Sequence, residues 1–374
     1  MQARKAVSFI TACVLTLILS ACSESPPIVI GFSGQLTGKI SDLGVHGRNG
    51  ATLAVEMIND SGGINGRLLK LIAADDGNNP QKALEANKKL IGQGAVAIIG
   101  HMTSSQTMSV MPFISQNNVV LMSPTTSTPE LTGKVDSFFR VVLENGVSGH
   151  ELADYGRSSM DIETVVTISE SDNRSYTFTM SSIFAKRFIQ RGGEVLEMIE
   201  YSSSKLNGWD HIIDKLIQLK PQAIMLACPA QDAVSLIQRI HSASLYPKLL
   251  SGAWAFTDNI LIWGGNNVEG MVFAIDYTAD NPNPKFIKFR ELYKNRFGSM
   301  PNFASAFAYE AVLALAEGLK KTNGSTNGLT DALAPSETIE GVIGPFRLNE
   351  FGDAERNVFI VTIQNGQFRT IEMR

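Results

Sequence analysis

The chain has 374 residues, of which 44% are hydrophobic and 18% charged, and its formal net charge is −4. That length exceeds what a single core usually supports, so two lobes are expected. The acidic balance argues against a nucleic-acid partner, which would favour a basic patch.

The N-terminus opens with two positive charges, Arg4 and Lys5, followed by an apolar stretch from Ala6 to Leu19 broken by Ser8, Thr11 and Thr16. At about 14 residues this stretch fits the core of an export signal and falls short of the ~20 that span a bilayer. It ends in Leu19-Ser20-Ala21-Cys22, which resembles the lipobox of bacterial lipoproteins. The resemblance implies cleavage before Cys22, with residues 1–21 as signal peptide, and lipid on the Cys22 sulfur. Residues 22–27 then form a short polar tether ending in Pro26-Pro27. Several acyl chains hold a protein to a membrane far more firmly than one. Of the three cysteines, Cys13 leaves with the signal, Cys22 takes lipid and Cys228 stays alone, so the mature chain has no internal disulfide.

β-rich runs alternate with helical patterns from there on. Strands are expected at Ile28–Phe32, Leu68–Ala74, Val96–Gly100, Val119–Ser123, Thr164–Ser169, Glu194–Tyr201, Ala223–Cys228, Lys248–Ser251 and Met271–Ile275. Between the first two, Ala51, Ala54, Val55 and Ile58 fall at i, i+3, i+4 and i+7 and predict a helix from about Gly47 to Asp60, stopped by Gly62-Gly63. Asn79 at the N-cap and Pro80 in the first turn begin the next helix, with Ala83, Ala86, Leu90 and Ile91 on its buried face. This alternation implies an α/β protein with parallel sheets covered on both faces. Ligands in such folds sit beyond the C-terminal ends of the strands. No Pro/Ser/Gly linker divides the chain, and Lys320–Asn327 (KKTNGSTN) reads as a surface loop. A two-lobed protein without a linker suggests that the chain crosses between lobes more than once.

Catalytic motifs are mostly missing. Gly31-Phe-Ser-Gly-Gln-Leu-Thr-Gly38 is not G-x-G-x-x-G, and Gly38-Lys39 lacks both the first glycine and the final hydroxyl of a phosphate loop. Ser33 stands in a sequence without the last glycine of a nucleophile elbow. His46, His101, His150, His211 and His241 are scattered, with no metal-ligand spacing. Asp75-Asp76 points its two side chains apart along a strand, which suits capping or loop bonding better than a shared proton. No cofactor or metal is implied.

Two hydroxyl-rich loops stand out, each directly after an expected strand: Gly100-His-Met-Thr-Ser-Ser-Gln106 and Ser123-Pro-Thr-Thr-Ser-Thr-Pro129. Hydroxyls beside free helix-start N–H groups make an anion site, though Ser and Thr at such places are also ordinary N-caps.

At these loops the chain resembles the type I periplasmic binding proteins, specifically the branched-chain amino acid receptors of ABC importers. The resemblance runs through Ile30–Gly38, Gly44 to Gly50, Ala54–Asn59 with Gly62–Gly66, Asp75-Asp76…Pro80, Ile99-Gly-His101, Ser123-Pro124, Pro129–Thr132, Gly270-Met271, Ala308-Tyr-Glu-Ala311 and Ile343-Gly-Pro345. It covers almost the whole mature chain. It implies two Rossmann-like lobes joined by three crossings with the ligand between them: residues 27–140 with 276–357, and residues 141–275 with 358–374.

It also implies carboxylate contacts at Ser104, with Ser105 beside it, and at Thr125, Thr126 and Ser127. Leu43 stands where some relatives place a tryptophan over the ligand, and Tyr176 where the second lobe commonly offers an aromatic contact. Two departures matter. Amino-acid-binding relatives hold the ligand ammonium with an acid after the strand Lys248–Ser251, where this chain has Trp254; Asp258 is a nearby substitute. The disulfide positions of some relatives are Asn78 and Thr103 here. The expected function is a lipid-anchored, monomeric receptor at the cell envelope, serving an ABC permease and its ATPase subunits. Its ligand would be a branched-chain amino acid or, because of Trp254, an aromatic or aliphatic carboxylate or amide. A ligand-sensing regulatory module of the same fold is the alternative.

Overall fold

The computed structural model describes residues 25–38 and 41–374. The expected signal peptide and Cys22 lie outside the described residues, as does Lys39. Five strands form the first sheet: β1 (Ile28–Gly34), β2 (Leu69–Asp75), β3 (Ala97–Ile99), β4 (Val120–Ser123) and β5 (Phe138–Arg140). Their order is β2-β1-β3-β4-β5 and every pairing is parallel. The connecting helices are α1 (Asp42–Asp60), α2 (Pro80–Gly92) and α3 (Ser104–Asn117).

The chain then leaves this sheet for a second one, built from β6 (Thr164–Glu170), β7 (Glu194–Tyr201), β8 (Ala223–Ala227), β9 (Lys248–Ser251) and β10 (Val272–Ile275). These five strands are parallel. They alternate with α4 (Asn145–Ser158), α5 (Arg174–Gln190), α6 (Asp210–Leu219), α7 (Ala230–Ser242) and α8 (Asp258–Gly264). After β10 the chain returns to cover the first sheet with α9 (Pro284–Phe297), α10 (Phe303–Lys321) and α11 (Leu329–Leu333). A small sheet of β11 (Ile339–Glu340), β12 (Pro345–Leu348) and β13 (Ala354–Glu355) follows. A third passage adds β14 (Phe359–Gln364) and β15 (Gln367–Met373) to the second sheet as an antiparallel hairpin. Two lobes, each with a parallel core, are thus joined by three crossings.

Buried runs explain the central strands. Ile98, Ile99, Leu121 and Met122 are fully buried in the first sheet, and Ile224, Met225 and Leu226 in the second. Such continuous apolar runs are what a sheet covered on both faces demands. All nine expected strands form, with ends within two residues of the reading. The sheets differ from it in β5, in the small sheet and in the antiparallel hairpin.

The helix expected from Gly47 begins at Asp42. Its first half is hidden by glycines that close packing requires. A Cβ on Gly44 would stand 1.8 Å from the Gln35 carbonyl oxygen, and one on Gly50 would stand 2.0 Å from that of Ser305 in α10. The second helix starts as read, with Asn79 Oδ1 accepting from the N–H groups of Gln81 and Lys82.

Candidate functional site

A narrow cleft lies between the lobes. Every element that reaches it does so from a strand's C-terminal end or from a helix laid across those ends. From the first lobe come Met102, Thr103 and Ser104 after β3, Thr125 and Ser127 after β4, Leu43 of α1, and Phe303 and Phe307 of α10. From the second lobe come Asn173 and Tyr176 after β6 and Ala253 and Trp254 after β9. Val142 and Asp276 contribute from two of the crossings.

The hydroxyl side of the cleft is built by the start of α3. Thr103 sits at its N-cap without capping it; its hydroxyl donates instead to Asn78 Oδ1 at 3.1 Å. These are the two positions at which relatives are expected to carry a disulfide, and here a hydrogen bond joins them. Ser104 is 1% exposed, and among the described residues its Oγ has no hydrogen-bond partner. A buried hydroxyl left unpaired costs about 1–3 kcal/mol, which a ligand oxygen in the cleft would recover. Thr125 Oγ1 donates to the Met102 carbonyl at 2.8 Å and keeps its lone pairs free to accept. The Ser127 carbonyl accepts from Asn145 N–H at 2.7 Å, which ties this loop to the start of α4.

The opposite wall is aromatic. Tyr176 and Trp254 meet edge to face, with ring centroids 6.2 Å apart and planes at 84°. The Trp254 backbone N–H donates to Tyr176 Oη at 3.4 Å. Burial pushes the Tyr176 phenol well up, so it stays protonated. Gly252 is required for this approach, because a Cβ there would stand 2.4 Å from the phenol oxygen. Phe303 and Phe307 complete an apolar lining.

Six of the eight expected side chains therefore line one cavity: Leu43, Ser104, Thr125, Ser127, Tyr176 and Trp254. Ser105 and Thr126 do not. Thr126 Oγ1 is buried against Thr107 Oγ1 at 2.6 Å and the His101 carbonyl at 3.3 Å. Ser105 turns toward the other lobe. Its N–H donates to Asn173 Oδ1 at 3.1 Å, and its Oγ accepts from Ser175 N–H at 3.3 Å. Asp258 is also outside the cavity; burial raises its carboxyl, and His46 opposes that rise.

Asn173 and Asp276 are two of the cleft residues that were not read from sequence. Asn173 is held by Glu170, whose carboxylate accepts from the N–H groups of Asp172, Asn173 and Ser203. Burial lifts Glu170 to about 7, and those three bonds only partly offset it. Asp276 follows β10 directly, is 3% exposed, and its Oδ2 accepts from Leu143 N–H at 2.8 Å. Burial pushes its carboxyl up to about 6. Both positions follow strand ends, where ligands of such folds sit, but that rule alone does not single out one residue.

Elsewhere, His101 Nδ1 meets Asp76 Oδ2 at 2.6 Å and Ser33 Oγ at 3.3 Å, while Asn87 occupies Nε2 at 3.2 Å. One ring nitrogen faces both the serine and the acid, which is not the relay geometry of a nucleophile. Among the described residues no cluster could hold a metal ion, and no helix is long and apolar enough to cross a membrane.

The family model of the periplasmic binding proteins matches residues 27–367. A Leu/Ile/Val-binding protein homologue from Brucella melitensis is 29% identical over 337 residues, covering 87% of this chain and 88% of its own. Two solved structures share the fold. A branched-chain amino acid transporter substrate binding protein from Streptococcus pneumoniae, in complex with isoleucine, has a TM-score of 0.84 at 19% identity, covering 93% of this chain and 99% of that one. An ABC transporter solute binding protein from R. palustris, in complex with benzoate, has a TM-score of 0.84 at 21% identity, covering 93% and 96%.

Proposed function

We propose that this chain, which belongs to the periplasmic binding protein family, is the extracytoplasmic receptor of an ABC importer for a small apolar amino acid. Its lobes are residues 27–140 with 276–357 and residues 141–275 with 358–374, and they close on the ligand by hinge motion. The carboxylate binds at Ser104, Ser127 and Thr125, at the start of α3. The apolar side chain lies against Tyr176, Trp254 and Phe303. The observation that carries this reading is the buried, unpartnered Ser104 Oγ at an uncapped helix start inside an interlobe cleft. The Brucella relative, described as Leu/Ile/Val-binding, supports the ligand class.

The test is titration calorimetry with leucine on the protein carrying Ser104→Ala and Ser127→Ala. Losing two charge-assisted hydrogen bonds of about 1.5–3 kcal/mol each predicts a loss of affinity of at least 100-fold. Unchanged affinity in the double variant would refute the carboxylate assignment. A second reading, an aromatic carboxylate as ligand, is favoured by Trp254 in the cleft wall and by the benzoate-bound neighbour.

Anchoring at Cys22 completes the proposal. Lipid on this residue holds the receptor beside its permease, and Cys22→Ser is expected to release it into the soluble envelope fraction. Retention of that variant at the membrane would overturn the anchor.

A further inference from the structure

The side chains that line the cleft carry one formal charge. Among the described residues that line it there is no Lys, Arg or His, and the only carboxylate is Asp276. Other buried acids have cations or several donors. Asp76 meets His101 at 2.6 Å, Asp353 meets Arg140 at 2.7 Å and Glu310 meets Arg356 at 2.7 Å. Asp276 has only backbone donors, the Leu143 N–H and its own, and, among the described residues, no cation within ion-pair distance. Arg356 influences it electrostatically but is already paired with Glu310. A buried charge normally has a partner of opposite sign, because desolvation otherwise drives it toward neutrality.

We infer that Asp276 is the counter-charge for a ligand ammonium group, and that the cleft therefore selects α-amino acids over bare carboxylates. The inference rests on the receptor reading above and names the group that sets its ligand class. A bare anion would enter a cavity that already holds one negative charge and offers it only hydroxyls and N–H groups. A zwitterion matches both ends: carboxylate to the hydroxyls at the start of α3, ammonium to Asp276. Burial keeps Asp276 close to protonation while the cleft is empty, and an arriving ammonium favours the ionised form. Trp254, which faces the same cavity, is then free to serve the apolar part of the ligand.

The experiment compares L-leucine with 4-methylpentanoate, which is leucine without its amine, by titration calorimetry. The native protein is expected to bind leucine at least 100-fold more tightly. Asp276→Asn keeps an oxygen for the Leu143 N–H and removes the charge. It is expected to weaken leucine at least tenfold and to leave 4-methylpentanoate unchanged or tighter. Equal affinities for the two ligands in the native protein would overturn the inference and leave the receptor reading standing. So would a variant that loses both ligands equally while melting like the native protein, or one that keeps leucine unchanged. Should the variant fail to fold, the native comparison decides. A native protein that binds no apolar amino acid, with or without its amine, would overturn both readings.

Discussion

Ser105 gives the sharpest test of how the lobes close. It belongs to α3 in the first lobe, yet its Oγ accepts from Ser175 N–H and its N–H donates to Asn173 Oδ1, both in the second. Ser105 does not line the cleft. Ser105→Ala thus removes one interlobe hydrogen bond and no ligand contact. A part-buried bond of this kind is worth about 0.5–1.5 kcal/mol net. If opening parts these two residues, Ser175 N–H would meet water instead, and the loss would fall on the closed form alone. If closure accompanies binding, affinity weakens by about 2- to 12-fold. The loss should be the same factor for every ligand, since no ligand touches the latch, and it should appear as faster dissociation in stopped-flow measurements. Asn173→Ala breaks the other bond but also alters the cleft wall, so its effect is expected to be larger and to vary between ligands. Calorimetry with two ligands of different size is sufficient. A Ser105→Ala loss that differs between ligands would mean that Ser105 contacts ligand directly, and no loss at all would mean that the bond contributes nothing to closure.

Two further outcomes follow from buried charges. Arg356 lies between Phe307 and Phe346, with centroids at 4.9 and 4.5 Å, and pairs with the fully buried Glu310; Arg356→Met strands that acid, so thermal unfolding should report a loss of about 3–5 kcal/mol. Adding Glu310→Gln should restore part of it, and a double variant no more stable than the single one would refute the charge argument. Glu170 is lifted from 4.5 to about 7 in the folded protein. A raised folded pKa means its protonated form contributes stability that is fully present below about pH 4.5 and lost as pH rises through about 7. Melting temperature between about pH 5 and pH 8 should therefore fall more steeply in the native protein than in Glu170→Gln, and equal slopes would count against the assignment.

The parallel cores were legible because their strands are short apolar runs between helical patterns, and such runs are what buried parallel sheets require. The antiparallel additions were harder. β14 and β15 meet at Asn365-Gly366, where both residues have positive φ, 53° and 68°. That pair is a strong hairpin signal, but it stands near the chain end, outside the alternation that guided the reading. The start of α1 was obscured because glycines replace the apolar stripe: Gly44 and Gly50 pack on neighbouring backbone, and Gly47 on the Met102 side chain. In the cleft, residues of hydroxyl-rich loops were legible from composition. Ser104 and Ser105 are adjacent, however, and only the helix's direction decides that one faces the cavity and the other the opposite lobe. Asp276 was missed for a different reason. A single acid after a strand carries no signal of its own until the absence of a cation around it can be seen.

The placement of Asp276 changes what an acid in this cleft can do. Ser104 and Ser127 sit on one lobe, and Tyr176 and Trp254 on the other. Asp276 stands on neither moving wall: it begins the crossing after β10, and it accepts from Leu143 on the crossing after β5. An acid on the second lobe's wall would meet the ammonium only as that lobe closed. An acid on the crossings is in place before closure. A zwitterion can then satisfy its carboxylate at the start of α3 and its ammonium at the hinge while the aromatic wall is still distant. On the proposed reading, closure would add Tyr176 and Trp254 and the Ser105 latch, contacts that would read side-chain shape and the fit of the lobes but not charge. Charge selection would thus act in the open form and shape selection in the closed one. On this argument Asp276→Asn should slow or weaken the first encounter, whereas Ser105→Ala should leave association unchanged and speed release.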